Sequence, residues 1–172
     1  MMLSRWRQWW RGHRLWRGLV ETLLLVGVLL ALRAWLQQDM ASGPVPPLAG
    51  TTIAGQPFDL HQYPERPVLV HFWATWCRIC ALEQDSIDAI ARDWPVITVA
   101  MQSGSVADVQ RHLQRAELAF PVINDPAGVL ARRFGVRAVP ATFVVDARDR
   151  IVFRERGFTT EAGLRFRLWL AR

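Results

Sequence analysis

The sequence predicts an α/β domain with a mixed central sheet flanked by helices, preceded by one N-terminal transmembrane helix. Three observations predict it. Short β-prone runs alternate with helical patterns from Phe58 onward, the alternation closes with a hairpin and a helix, and an apolar run near the N-terminus follows a cluster of arginines. At 172 residues the chain holds one folded domain and a short accessory segment.

The apolar run comes first. Thr22 to Leu32 is uninterrupted within a wider, largely apolar window from Leu15 to Leu36 that Glu21 and Arg33 interrupt after Arg17 near its start, and Trp16 and Trp35 flank it. A spanning helix needs about 20 apolar residues, so this window suffices when Glu21 and Arg33 sit at the two interfaces. Arg5, Arg7, Arg11, Arg14 and Arg17 precede it, and no cation follows Arg33 until Arg66. The positive-inside rule therefore predicts a cytoplasmic basic tail over 1–17, an anchor over 18–36, a linker over 37–47 and a folded domain over 48–172 on the far side. A cleaved signal peptide and a buried core helix compete with this reading. No pair of alanines two apart occurs between Ala31 and Ala49, which speaks against cleavage. Both secretory readings export the domain. The segment Gln37–Pro47 is polar and then proline-rich, a pattern of semi-rigid tethers.

Charge excludes nucleic acid as the partner. Six arginines against Glu21 and Asp39 place +4 of the net +6 within residues 1–41, and the domain carries only +2. A nucleic-acid face needs cations clustered on the folded domain. The chain has no lysine, a bias that carries no chemistry by itself.

Within the domain, Phe58–Leu60 and Pro67–Trp73 read as strands, the second so continuously apolar that it belongs at the centre of the sheet. After Cys77, the positions Ile79, Leu82, Ser86, Ala89 and Ile90 form one face at helical spacing, with Glu83, Gln84, Asp85 and Asp88 on the other, so one amphipathic helix is expected up to Pro95. Val96–Ala100 follows as a strand. A helix starts at Ser105, with Asp108 completing an approximate capping box, and another starts at Pro126 and runs to Phe134. Ala141–Val145 and Ile151–Arg154 form the hairpin, and Thr160–Leu170 the last helix.

Both cysteines, Cys77 and Cys80, fall at the junction of the central strand and its helix. Unpaired N–H groups and the helix dipole there stabilise an anion, and Arg78 adds a cation, so Cys77 is the expected thiolate nucleophile and Cys80 the resolving thiol. Other uses of two thiols remain open. Zinc needs about four ligands, and His13, His61, His71 and His112 are scattered. Two thiolates suit Cu(I). A purely structural disulfide over so short a loop would constrain the unfolded chain little.

The run Val70-His-Phe-Trp-Ala-Thr-Trp-Cys-Arg-Ile-Cys80 resembles the active-site segment of the thioredoxin-like superfamily, and Val139-Pro-Ala-Thr-Phe-Val-Val-Asp146 resembles its cis-proline segment. The apolar N-terminal helix, Gly55–Leu60 and Glu83 look like the membrane-anchored TlpA-like branch, and within it the suppressor-of-copper-sensitivity protein D type. The resemblance spans about residues 48–172 and implies a thioredoxin-like fold and a redox-active Cys77–Cys80 disulfide. It also implies a cis Pro140 against that pair, a Val139 backbone free to pair with an extended client, and Trp76 beside the client groove. The plainer role of Val139–Pro140 is a turn at the start of a strand, and that of Trp73 and Trp76 is packing.

The chain departs from the pattern at three positions: His71 stands where the superfamily has a buried carboxylate, Ile79 where proline is common, and Asp85 where the branch often has a kinking proline. His71 could accept the proton of the resolving thiol, favour a thiolate as a cation, or be a hydrogen-bonded core residue. The resemblance implies a thiol–disulfide oxidoreductase without a cofactor, on the periplasmic side of a bacterial inner membrane. Its partners would be protein thiols and disulfides and a membrane-embedded redox donor. Reduction of client disulfides is the favoured direction, with oxidation of client thiols and periplasmic Cu(I) binding for copper tolerance as alternatives.

Overall fold

The computed structural model describes residues 2–172, and the side chains of all of these except 2–15, 33 and 36. The elements are α1 (Met2–Gln37), β1 (Gly43–Pro44), β2 (Ala49–Thr51), β3 (Pro57–Asp59), β4 (Val68–Trp73), α2 (Arg78–Ala81) and α3 (Gln84–Ala91). They continue with β5 (Val96–Met101), α4 (Val106–Arg115), β6 (Val122–Asp125), α5 (Val129–Arg133), β7 (Ala141–Val145), β8 (Arg150–Arg156) and α6 (Glu161–Leu170).

Contacts divide the chain into a first unit up to Gln38 and a second, Asp39–Arg172. The first is α1. Its apolar side chains from Leu19 to Leu32 are exposed, and Thr22 Oγ1 donates to Gly18 O (2.8 Å) inside the helix. Among the described residues, no helix is long and apolar enough to cross a membrane. Arg5, Arg7, Arg11, Arg14, Arg33 and Leu36, on which the anchor expectation partly rests, and His13, one of the scattered histidines, lie outside the described side chains.

The second unit is built on a six-stranded sheet in the order β1-β8-β7-β4-β5-β6. β4, β5 and β6 are parallel, while β7 runs antiparallel to β4 and β8 to β7. This is the expected mixed sheet with β4 at its centre, and every side chain of β4 is buried. Alternation along β4 sorts the core onto two faces: Val68, Val70 and Phe72 join one cluster with Phe134 and Phe143, and Leu69 and Trp73 join the other with Cys77, Cys80, Ile87 and Leu164. β2 and β3 pair separately as a small hairpin.

Three expectations are corrected. Residues 39–47, read as tether, pack into the domain: Met40 and Val45 are buried, Ala41 N donates to Phe134 O (2.9 Å), and β1 pairs with β8 through Gly43 and Ile151. The helix expected from Cys77 to Pro95 is broken. Its hydrogen bonds tighten to the i−3 carbonyl at Leu82 and Glu83 (3.2 and 3.0 Å), which resets the buried face of α3. As a result Ile79 and Leu82 are 50% and 72% exposed, whereas Glu83, Gln84 and Asp88 are buried. These polar groups find partners across the fold: Ala119 N donates to Asp88 Oδ1 (2.7 Å) and His112 Nε2 lies 3.1 Å from Gln84 Oε1. Finally, the helix placed at Pro126 starts at Val129. Its first turn is held by the Asp125 carboxylate, which accepts from Val129 N (2.7 Å) and Ala131 N (2.9 Å).

Candidate active site

The site grows from the C-terminal end of β4, where an open α/β sheet leaves a crevice. Trp73 is fully buried, its indole N–H donating to Thr98 Oγ1 (3.1 Å) and its ring meeting Phe120 edge-on. The chain then leaves the sheet over a loop that the next strand holds. Thr75 N donates to Ser103 Oγ (3.0 Å), whose own hydroxyl donates to Met101 O (3.1 Å). Trp76 is exposed, and its indole N–H donates to Gln102 O (3.0 Å). Ser103 and Gln102 had no signal in the sequence, because only the parallel pairing of β4 with β5 brings that loop alongside.

Cys77 is the N-cap of α2, and its sulfur accepts from Cys80 N (3.1 Å). That contact uses one of the free N–H groups of a helix start, the feature expected to stabilise an anionic sulfur. The two cysteines form a disulfide, with Cα atoms 5.2 Å apart. Cys77 retains 9% exposure and Cys80 none, so the first cysteine lies nearer the surface. Arg78 and Ile79 stand exposed on α2. Trp76, Ile79 and Leu82, all exposed, form an apolar rim along the segment that carries Cys77.

The Val139–Pro140 peptide is cis, and Cys77 Sγ lies 3.6 Å from Val139 O. Gly157 N donates to Pro140 O (2.8 Å), tying the turn to the end of β8. Arg66–Pro67 is a second cis peptide, which the sequence reading did not anticipate.

Two buried titratable groups stand on the elements next to the pair, His71 on β4 and Glu83 at the start of α3. His71, at 1% exposure, is on the same side of β4 as Leu69 and Trp73, and its Nδ1 is 2.9 Å from Thr142 Oγ1 on β7. Its Nε2 is buried with no protein partner. Burial lowers its pKa to about 3, so the ring is neutral at ordinary pH and the cationic reading of His71 is corrected. Glu83, the residue before α3, is fully buried, and its Oε1 accepts from Thr159 N (2.6 Å). Burial first, opposed by that hydrogen bond and reinforced by the charge of Glu155, raises its pKa to about 7. Glu155 is itself paired with Arg167 (2.9 Å). The sequence carried Glu83 as part of a polar helix face and as a mark of the TlpA-like resemblance, not as a buried group, because its hydrogen-bond partner Thr159 lies far along the chain.

Among the described residues, no three His, Cys, Asp or Glu side chains gather as metal ligands. A cleft of about 430 Å³ beneath the β2–β3 hairpin, between Phe58, Tyr63, Val96 and Pro121, lies by the start of β5 and includes none of the residues above.

Residues 42–154 match the AhpC/TSA family. The chain is 32% identical to the thioredoxin-like protein of Haemophilus influenzae, over 69% of this chain and 72% of that one. It is 24% identical to the thiol-disulfide oxidoreductase ResA of Bacillus thuringiensis subsp. konkukian, over 66% and 68% of the two chains. Among solved structures, the exposed lipoprotein thioredoxin Etrx1 of Streptococcus pneumoniae superposes with a TM-score of 0.64 at 27% identity, covering 72% of this chain and 98% of that one.

Proposed function

Because the chain belongs to the AhpC/TSA family and carries its disulfide on a thioredoxin-like fold, we propose that it works as a thiol–disulfide oxidoreductase of the TlpA-like branch, anchored in a bacterial inner membrane and reducing protein disulfides on the periplasmic side. The observation that carries the chemistry is the asymmetry of the pair: a Cys77 that retains some exposure at a helix N-cap, backed by a fully buried Cys80.

In the reduced protein the Cys77 thiolate attacks one sulfur of a client disulfide. An S–S bond forms between Cys77 and the client, and the other client sulfur leaves as a thiolate that takes up a proton. Cys80, having given up its proton, attacks the Cys77 sulfur. The client leaves as a dithiol, the Cys77–Cys80 bond forms, and two electrons have passed to the client. The apolar rim of Trp76, Ile79 and Leu82 receives unfolded or extended segments, and the Val139 backbone beside the sulfur offers them a strand partner.

Glu83 exchanges the Cys80 proton. A group titrating near neutrality suits that task, whereas His71 is too weak a base at physiological pH. Charge supports the reducing direction. A neutral His71 and the carboxylates Glu83 and Glu155 give the buried thiolate no support, and Arg78 is exposed to screening solvent, so the dithiol form is the better electron donor. The anchor reading rests on the exposed apolar side chains of α1 from Leu19 to Leu32, flanked by Trp16 and Trp35.

The test is reduction of insulin disulfides by the full chain with dithiothreitol as electron source. Catalysis abolished by Cys77→Ser supports the activity. A Cys77→Ser protein as active as the parent would refute it.

A further inference from the structure

Away from the cysteine rim, the domain exposes a second apolar surface, on α6 and the start of β8. Phe166 and Trp169 stack with ring centroids 6.0 Å apart, and each is 58% exposed. Leu170 follows on the helix and faces Val152 of β8 across a shallow cleft that Arg148 and Arg172 also line. Sheet register puts this surface far from the disulfide. β7 brings Ala141 beside Phe72 and Val145 beside Val68, and β8 brings Arg156 to Ala141 and Ile151 to Val145, so the start of β8 lies at the end of the sheet opposite Cys77.

The rim of this surface is cationic. Arg148 and Arg172 line it, the latter with its guanidinium 4.4 Å over the Trp94 ring, and the one acid in the lining, Asp146, accepts from the backbone N–H groups of Arg148 and Arg150 (both 2.9 Å). Arg165 is held by Asp93 and Glu161, and Arg167 by Glu155, so those charges are balanced within the fold.

We infer that the Phe166–Trp169–Leu170 face, with Val152 and its arginine rim, docks on the anionic lipid surface of the membrane that holds α1; the inference rests on the anchored reading above. Stacked aromatics suit the headgroup level and arginines suit lipid phosphates, whereas a second copy of the chain would bring like-charged rims together. Docking at this end turns Cys77 away from the bilayer, toward soluble clients.

The experiment uses the full chain in vesicles of phosphatidylcholine, or of phosphatidylcholine with phosphatidylglycerol. Both carry a photoactivatable phosphatidylcholine, and labelled peptides are mapped by mass spectrometry. The expected result is label in α1 in both vesicles and label across residues 166–170 that is stronger with phosphatidylglycerol. The docked-to-free ratio should fall about fivefold for each of Arg148→Gln and Arg172→Gln. Both residues are exposed, so insulin reduction by these variants stays at the parent level. Label confined to α1 would overturn the docking face and leave the anchor standing. Label at 166–170 without α1 would keep the face and refute the anchor, and label at neither would refute both. A dimer that shields 166–170 from label as protein density rises would assign the face to a second copy and overturn lipid docking.

Discussion

Thr159 donates its backbone N–H to the Glu83 carboxylate at 2.6 Å, fixing the start of α3 to the segment that leads into α6. The second carboxylate oxygen is buried without a protein partner, and the group titrates at about 7. Exchange with a small disulfide, followed by stopped flow across pH, is therefore expected to inflect near 7. In Glu83→Gln that inflection disappears and the rate at neutral pH falls about a hundredfold. An unchanged profile would remove Glu83 from the mechanism.

Glu83 and His71 also set opposing pH dependences of stability. Between about 4.5 and 7 the unfolded chain releases the Glu83 proton while the folded chain retains it, so stability falls as pH rises, by about 3 kcal/mol across the window. His71 acts the other way: the unfolded ring gains a proton below about 6.5 and the folded ring stays neutral down to about 3, so stability falls as pH drops through that range. Urea titrations of Glu83→Gln are expected to show only the acid loss, with greater stability than the parent above pH 7. Those of His71→Asn are expected to lose the drop that begins near pH 6.5 and to keep the loss toward higher pH.

Leu82 is exposed beside the cysteine pair and contributes little to the core. Leu82→Ser should leave unfolding free energy within about 0.5 kcal/mol of the parent. It should raise the KM for a protein disulfide several-fold while leaving exchange with a small disulfide unchanged. Equal effects on both substrates would refute a client-binding role for the rim.

Asp88 carries structural rather than chemical weight. It accepts from Ala119 N at 2.7 Å and pairs with Arg92 at 3.0 Å, holding its pKa below the usual carboxylate range despite burial. Asp88→Ala strands the Ala119 donor and should cost about 2 kcal/mol in denaturant unfolding.

These residues also mark where sequence reading succeeds. The central strand β4, the strand β5, the β7–β8 hairpin, the Ser105–Asp108 capping box of α4 and the Cys77 N-cap were legible because each is a local pattern. The break between α2 and α3 was not. Burial of Glu83, Gln84 and Asp88 depends on Thr159, His112 and Ala119, none of which is near in sequence, and the same burial turns Ile79 and Leu82 outward. β1 and β2, with two and three residues, are too short for periodicity to register, and Pro121 and the brevity of β6 hid that strand as well. The sequence singled out His71 but not its protonation, which follows from complete burial beside Thr142.

The division of labour within the cysteine pair is tested most directly by trapping. Full-chain Cys80→Ser, Cys77→Ser and the double variant are incubated with reduced-then-oxidising cell extract, quenched in acid, and resolved without reductant. Covalent adducts that accumulate on Cys80→Ser, dissolve with dithiothreitol and are absent from both variants lacking Cys77 are the result this account requires. Adducts that accumulate instead on Cys77→Ser, carried by Cys80, would contradict it.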